Sequence, residues 1–193
     1  MAVAALLGCG IATASPGPLP LSARLIRAGD LTGFRPDPGL SSFDTPELWV
    51  AANPSLTPAQ RAAELARLHR HGFVRVVSEF LDRKALAQSG VSWVMQLGSA
   101  TDARAELKAN FEYFEVLDKA SGGFFSPYSV RAIPRAKGFR VIGHGQVAEN
   151  VFFADGPFLY LVGAGWPTSD KQPPARAQLV AAATRLYRRV HGR

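Results

Sequence analysis

Hydrophobic positions along this chain recur with two periods, and the alternation between them predicts the order of elements. From 58 to 71, Ala62, Leu65, Ala66 and Leu68 share one side and Arg61, Glu64 and Arg67 the other. That three-and-four spacing predicts an amphipathic helix, with Thr57 as N-cap, Pro58 in the first turn and Gly72 just past the end. From 101 to 118, Ala103, Leu107, Phe111, Phe114 and Leu117 repeat the spacing with an aromatic stripe of the kind that packs into a core. A closing helix over 175–190 carries Leu179, Ala182, Ala183, Leu186 and Val190 on one face, and a short helix over 21–31 is stopped at Gly29.

Period two predicts the strands. Over 73–81, Val74, Val76 and Phe80 face away from Arg75 and Glu79, and over 90–97, Val91, Trp93, Met95 and Leu97 alternate with Ser92, Val94 and Gln96. These two, joined by 82–89, are expected to pair antiparallel. Segments 126–133 and 138–142 read as extended, with a break at Pro134. Strands 147–154 and 158–163 flank Asp155-Gly156, a hairpin signal because glycine accepts positive φ without steric cost. Residues 158–162 are apolar on both faces, which predicts a central strand covered from both sides. Segment 32–57 is rich in Pro, Gly, Ser and Asp and is expected to be a loop, either pinned by Phe34, Phe43, Leu48 and Trp49 or serving as a lid over a pocket. Segment 166–174 is expected to be a linker. Strand pairs separated by single helices predict one α+β domain over 21–193, a mainly antiparallel sheet flanked by helices.

The first fourteen residues carry no charge and end in Ala12-Thr13-Ala14 before Ser15-Pro16-Gly17-Pro18. Small residues one and three before a cut are what a signal peptidase accepts, so 1–14 reads as an export signal and 15–20 as a spacer. Leu6-Leu7-Gly8-Cys9 also resembles a lipobox, in which Cys9 would be lipidated and the domain anchored to the outer face of a membrane. The two cuts are alternatives. The first charge is Arg24, and a start upstream of Met1 would account for the missing basic flank. The apolar run is too short for a spanning helix, which needs about twenty residues. Cys9 is the only cysteine, so a domain cut after Ala14 holds itself together without disulfides.

Of 193 residues, 47% are hydrophobic and 19% charged, the balance of a globular domain. The net charge of +7 favours anionic partners electrostatically. The arginines are scattered, however, with no basic stripe interleaved with aromatic platforms, so nucleic acid is not an expected partner. The dense set Arg185, Arg188, Arg189 and Arg193 complements a helix C-terminus, or faces a membrane surface.

Candidate chemistry is sparse. His144, between Gly143 and Gly145, could act with a carboxylate in a small hydrolase, or simply occupy a turn; Gly-x-Ser-x-Gly is absent. His69 and His71 are two apart on a helix and point in different directions, so no metal site is expected, and no cofactor motif occurs. The aromatic residues are more suggestive. Trp93, Phe111, Tyr160 and Trp166 are the candidates to line an apolar pocket between sheet and helix.

Three stretches, 25–34 (LIRAGDLTGF), 130–139 (VRAIPRAKGF) and 151–163 (VFFADGPFLYLVG), resemble exported domains and lipoproteins of high-GC Gram-positive bacteria, which are similar to the Mog1/PsbP-like fold. That resemblance spans about residues 21–191 and brings no catalytic motif. It implies an envelope accessory or binding role. The expectation is therefore an exported, non-enzymatic module that binds an envelope protein partner or a hydrophobic or anionic ligand, the alternative being the hydrolase built on His144.

Overall fold

The structure, a computed structural model, describes residues 19–191 apart from residues 55 and 121–122. The expected export signal, the cleavage site after Ala14 and Cys9 lie outside the described residues. Among the described residues seven strands form one antiparallel sheet: β1 (Arg35–Phe43), β2 (Arg75–Arg83), β3 (Gln88–Gln96), β4 (Phe124–Ser129), β5 (Lys137–Gly143), β6 (Gln146–Asp155) and β7 (Phe158–Pro167). Their spatial order is β1-β2-β3-β7-β6-β5-β4. The chain lays down one half from its edge inward, crosses to the opposite edge, and returns by hairpins until β7 closes the gap beside β3.

β7 is thus the middle strand, as its apolar run predicts, with helices on both faces. Its hairpin with β6 closes at Asp155 opposite Phe158, with Gly156 (φ 56) first in a two-residue loop, where a type II′ turn takes glycine. Among the described residues four α-helices cover the sheet: α1 (Pro46–Ala51), α2 (Pro58–Arg70), α3 (Ala100–Ala120) and α4 (Arg176–Val190). α2 starts at a capping box. Thr57 Oγ1 accepts from the Gln60 N–H at 3.3 Å, and Gln60 Oε1 accepts from the Thr57 N–H at 2.8 Å.

Segment 32–57 departs from the expected loop. It holds β1 and α1, and β1 is an edge strand, where prolines at 36 and 38 remove donors that no neighbour requires. The register with β2 slips between Pro36 and Leu40, around Gly39 at φ 139, so the strand is bulged and lacks clean alternation. The helix expected over 21–31 shortens to one 3-10 turn, Leu21–Arg24. Arg24 turns inward there, its Nη1 donating to Tyr160 Oη at 2.9 Å, and Leu25 continues extended. The segment expected over 126–133 ends as a strand at Ser129, and Val130 and Ile133 enter the core from a turn. Trp166 and Pro167 belong to β7 and not to the linker.

Two cores result. On one face α4 and the 19–34 segment enclose Phe153, Tyr160, Val162, Leu179 and Leu186, among others. On the other, α1, α2 and α3 lie over Val76, Trp93, Met95, Phe139, Phe152 and Leu159.

Candidate functional site

On the face covered by three helices the packing is incomplete. α1 and α2 sit toward the β1–β2 side, α3 crosses β4 to β7, and between them a cavity of about 370 Å³ opens onto the sheet. Its floor alternates up from neighbouring strands: Ser78 and Phe80 on β2, Val91 and Trp93 on β3, Leu161 on β7 and Phe152 on β6. Ser78 pairs with Trp93, and Trp93 with Leu161, so these side chains stand side by side. A serine between Val76 and Phe80 withholds the volume that a larger residue would fill.

Aromatic rings brace the wall edge to face. Phe43 meets Trp49 at 5.6 Å, Trp49 meets Trp93 at 5.9 Å, and Trp93 meets Phe152 at 5.7 Å. Phe80, at the lip, is 55% exposed. The segment read as either a pinned loop or a lid supplies Phe43, Trp49, Ala52 and Asn53 to this wall.

The other end of the cavity is polar and is organised by Glu106 of α3, only 1% exposed. Arg67 Nε donates to both its oxygens at 3.1 Å, Asn110 Nδ2 donates to Oε1 at 2.7 Å, and His71 Nδ1 lies 2.7 Å from Oε2. A buried carboxylate needs this many partners to offset its lost hydration. The network ties α2 to α3 and fixes Arg67 and Asn110 at the cavity wall. Glu64, on the same wall, has an oxygen 3.9 Å from Arg67 Nη2. Burial pushes the Glu64 carboxyl up, against the pull of Arg67 and with the help of Glu106. Burial likewise raises the Tyr113 phenol, with Glu64 adding to it and Arg67 opposing.

Several of these lining groups are unspent. Among the described residues, Ser78 Oγ, Tyr113 Oη, the Glu64 carboxylate and the two Arg67 Nη groups make no hydrogen bond to protein, although Ser78 is only 4% exposed. They face an open cavity that solvent reaches, Arg67 and Glu64 being 19% and 18% exposed, so they are available to a ligand. On the opposite face, Glu149 Oε2 and Arg140 Nε are also without a hydrogen bond, but both are enclosed by protein, beside a Glu149 Oε1 that accepts from Arg176 Nη2 at 3.0 Å.

The four aromatic residues singled out in the sequence do not converge. Trp93 lies on the cavity floor. Phe111 lines a second, broader hollow of about 800 Å³ between α3 and the end of α4, with Lys137 over its ring at 5.4 Å. Tyr160 and Trp166 point to the α4 face, because along β7 they alternate with Leu159 and Leu161. Tyr160 is fully buried, stacked on Phe153 at 4.6 Å and closed off by Arg24. The sheet therefore divides the set.

His144 occupies an exposed two-residue turn between β5 and β6, at φ 50 beside Gly145 at φ 73. Among the described residues it has no hydrogen-bond or ion-pair partner, so the carboxylate pairing required of a general base is not assembled there. His69 meets Glu47 of α1 at 3.0 Å on the surface, while His71 serves Glu106. Among the described residues no three His, Cys, Asp or Glu side chains gather as a metal site, and no helix is long and apolar enough to cross a membrane.

No protein-family model matches the chain, and no curated protein matches it in sequence. In structure it is similar to the extracellular domain of PknH from Mycobacterium tuberculosis, with a TM-score of 0.55 at 11% identity, covering 89% of this chain and 98% of that one. At that identity the likeness speaks for the fold, an antiparallel sheet with helices on both faces, and lends no support to the narrower Mog1/PsbP-like resemblance.

Proposed function

We propose that the chain is an exported, non-enzymatic binding module of a cell envelope, and that it holds a hydrophobic ligand in the cavity between α2, α3 and the sheet. The observation that carries this reading is the cavity itself: a floor and wall of Trp49, Trp93, Phe114, Phe152 and Leu161, with polar groups gathered at one end. Its volume falls within the range of about 300–1,000 Å³ usual for small-ligand sites, and apolar lining with a few convergent polar groups is their usual chemistry. Export is supported by the uncharged run 1–14 with Ala12 and Ala14 before the Pro-rich spacer, and by a structural neighbour that is an extracellular domain. Cleavage after Ala14 releases the module, whereas lipidation at Cys9 tethers it to the outer face of the membrane.

Native mass spectrometry of the full chain tests the binding role. A defined extra mass that is lost on denaturation, and is missing from a Val91→Phe variant in which the floor is filled, is the expected result. A bare chain that also fails to take up an added uncharged apolar dye contradicts the reading. The mature N-terminus, read from the same spectra after expression in an exporting host, separates a chain starting at Ser15 from one starting at an acylated Cys9.

A further inference from the structure

The unspent groups at the polar end of the cavity carry both signs of hydrogen-bonding capacity and almost no net charge. Arg67 is charged, but its Nε is committed to Glu106, which also takes Asn110 and His71. The Arg67 Nη groups face the cavity as donors, with Glu64 beside them as acceptor at 3.9 Å. Tyr113 both donates and accepts, as does Ser78 on the floor beside Trp93. A head group with a full negative charge meets Glu64, with Glu106 behind Arg67. A positive one meets Arg67. Neither finds a free countercharge that offsets its lost hydration. A hydroxyl group fits the set, since it accepts from Arg67 and donates to Glu64 through one oxygen.

We propose that the ligand class is an uncharged amphiphile with a hydroxylated head, an acyl polyol in chemical terms, with its tail on Trp93, Phe152 and Leu161 and its head between Glu64, Arg67 and Tyr113. The inference rests on the reading of this cavity as a ligand site and specifies what that site takes. The cavity's size, near the lower end of small-ligand sites, selects a short chain.

The test is a calorimetric titration of the full chain at neutral pH with three probes of equal tail length: octanoylglycerol, octanoate and octylammonium. Octanoylglycerol is expected to bind at least about tenfold more tightly than either ion. In Glu64→Gln the repulsion of a carboxylate is removed while a carbonyl acceptor remains. Octanoate is then expected to gain about tenfold, with octanoylglycerol little changed. If either ion binds wild type as tightly as octanoylglycerol, or if Glu64→Gln leaves the order and spacing of the three affinities untouched, the head-group assignment is overturned and the cavity reading stands. If none of the three probes binds, and Val91→Phe behaves as wild type, the cavity reading fails and this inference with it.

Discussion

The two faces of the sheet are built from similar residue types and finished differently. On the α4 face Leu179, Ala182, Ala183 and Leu186 pack with Phe153 and Tyr160, all buried. Its charged groups act as staples. Asp30 holds Arg185 and Arg189 of α4 at 3.1 and 3.3 Å, and Arg24 closes over Tyr160 and the Phe158 ring. On the α2–α3 face the aromatic residues are as dense, but they surround a space, and Ser78, Glu64, Tyr113 and the outer nitrogens of Arg67 are left facing it. The α4 face also leaves Glu149 Oε2, Arg140 Nε and Arg189 Nε without a hydrogen bond, but each of these atoms is enclosed by protein. A face with unsatisfied polar groups around an open apolar space is arranged for something else to complete it.

The contrast is sharpest in side-chain truncation. Leu186→Ala on the filled face is expected to cost about 2–5 kcal/mol in urea unfolding, the range for an enclosed leucine whose space cannot collapse. Phe80→Ala at the cavity lip is expected to cost about 1 kcal/mol or less, since the ring is already half in solvent, and to weaken ligand uptake. Equal costs for the two would erase the distinction between the faces.

Smaller, and opposite in sign, are the expected pH dependences. Burial alone would raise the Asp30 carboxyl, but the Arg27 N–H with the Arg185 and Arg189 guanidiniums outweighs it and holds it below the usual value. Its contribution to stability is therefore present above the ordinary carboxylate pKa and is lost as pH falls through the lowered folded value. Asp30→Asn is expected to lose on the order of 1 kcal/mol near neutrality, with the deficit fading in acid. Glu64 runs the other way: burial raises its pKa, so the native state favours the proton, and this contribution is present in acid and lost as pH rises through the raised value. Glu64→Gln is expected to be equal to or slightly more stable than wild type near pH 7, with the two curves meeting in acid. Unfolding series across pH check both, and a neutral-pH loss in Glu64→Gln would mean that Glu64 is structural.

Much of this architecture is legible in the sequence because it is periodic. α2, α3 and α4 follow from apolar spacing, α2 also from its end signals, and the two-sided apolar run 158–162 places β7 at the centre. β1 is hidden by its edge position, which admits Pro36 and Pro38, and α1 by its six-residue length, too short to show a period. The site was legible only through Trp93 and through the lid alternative for 32–57, which brings Phe43 and Trp49 to the wall. The network around Glu106 joins residues 35 and 39 apart in sequence, and nothing local in Arg67 or His71 announces it. Whether Trp93 and Tyr160 share a face depends on the register that sets Trp93 opposite Leu161, a cross-strand fact. A serine at position 78 in an otherwise apolar strand face was the one local sign of a vacancy, and it has meaning only once its neighbours are known.

A ligand that enters the α2–α3 face and leaves the α4 face untouched is reported directly by the three tryptophans: Trp49 and Trp93 line the cavity, while Trp166 is buried on the other side. With fluorotryptophan incorporated, fluorine NMR during titration with octanoylglycerol should move the Trp49 and Trp93 resonances together and leave Trp166 in place. A shift confined to Trp166, or three resonances that all stay fixed at saturating probe, would contradict the account.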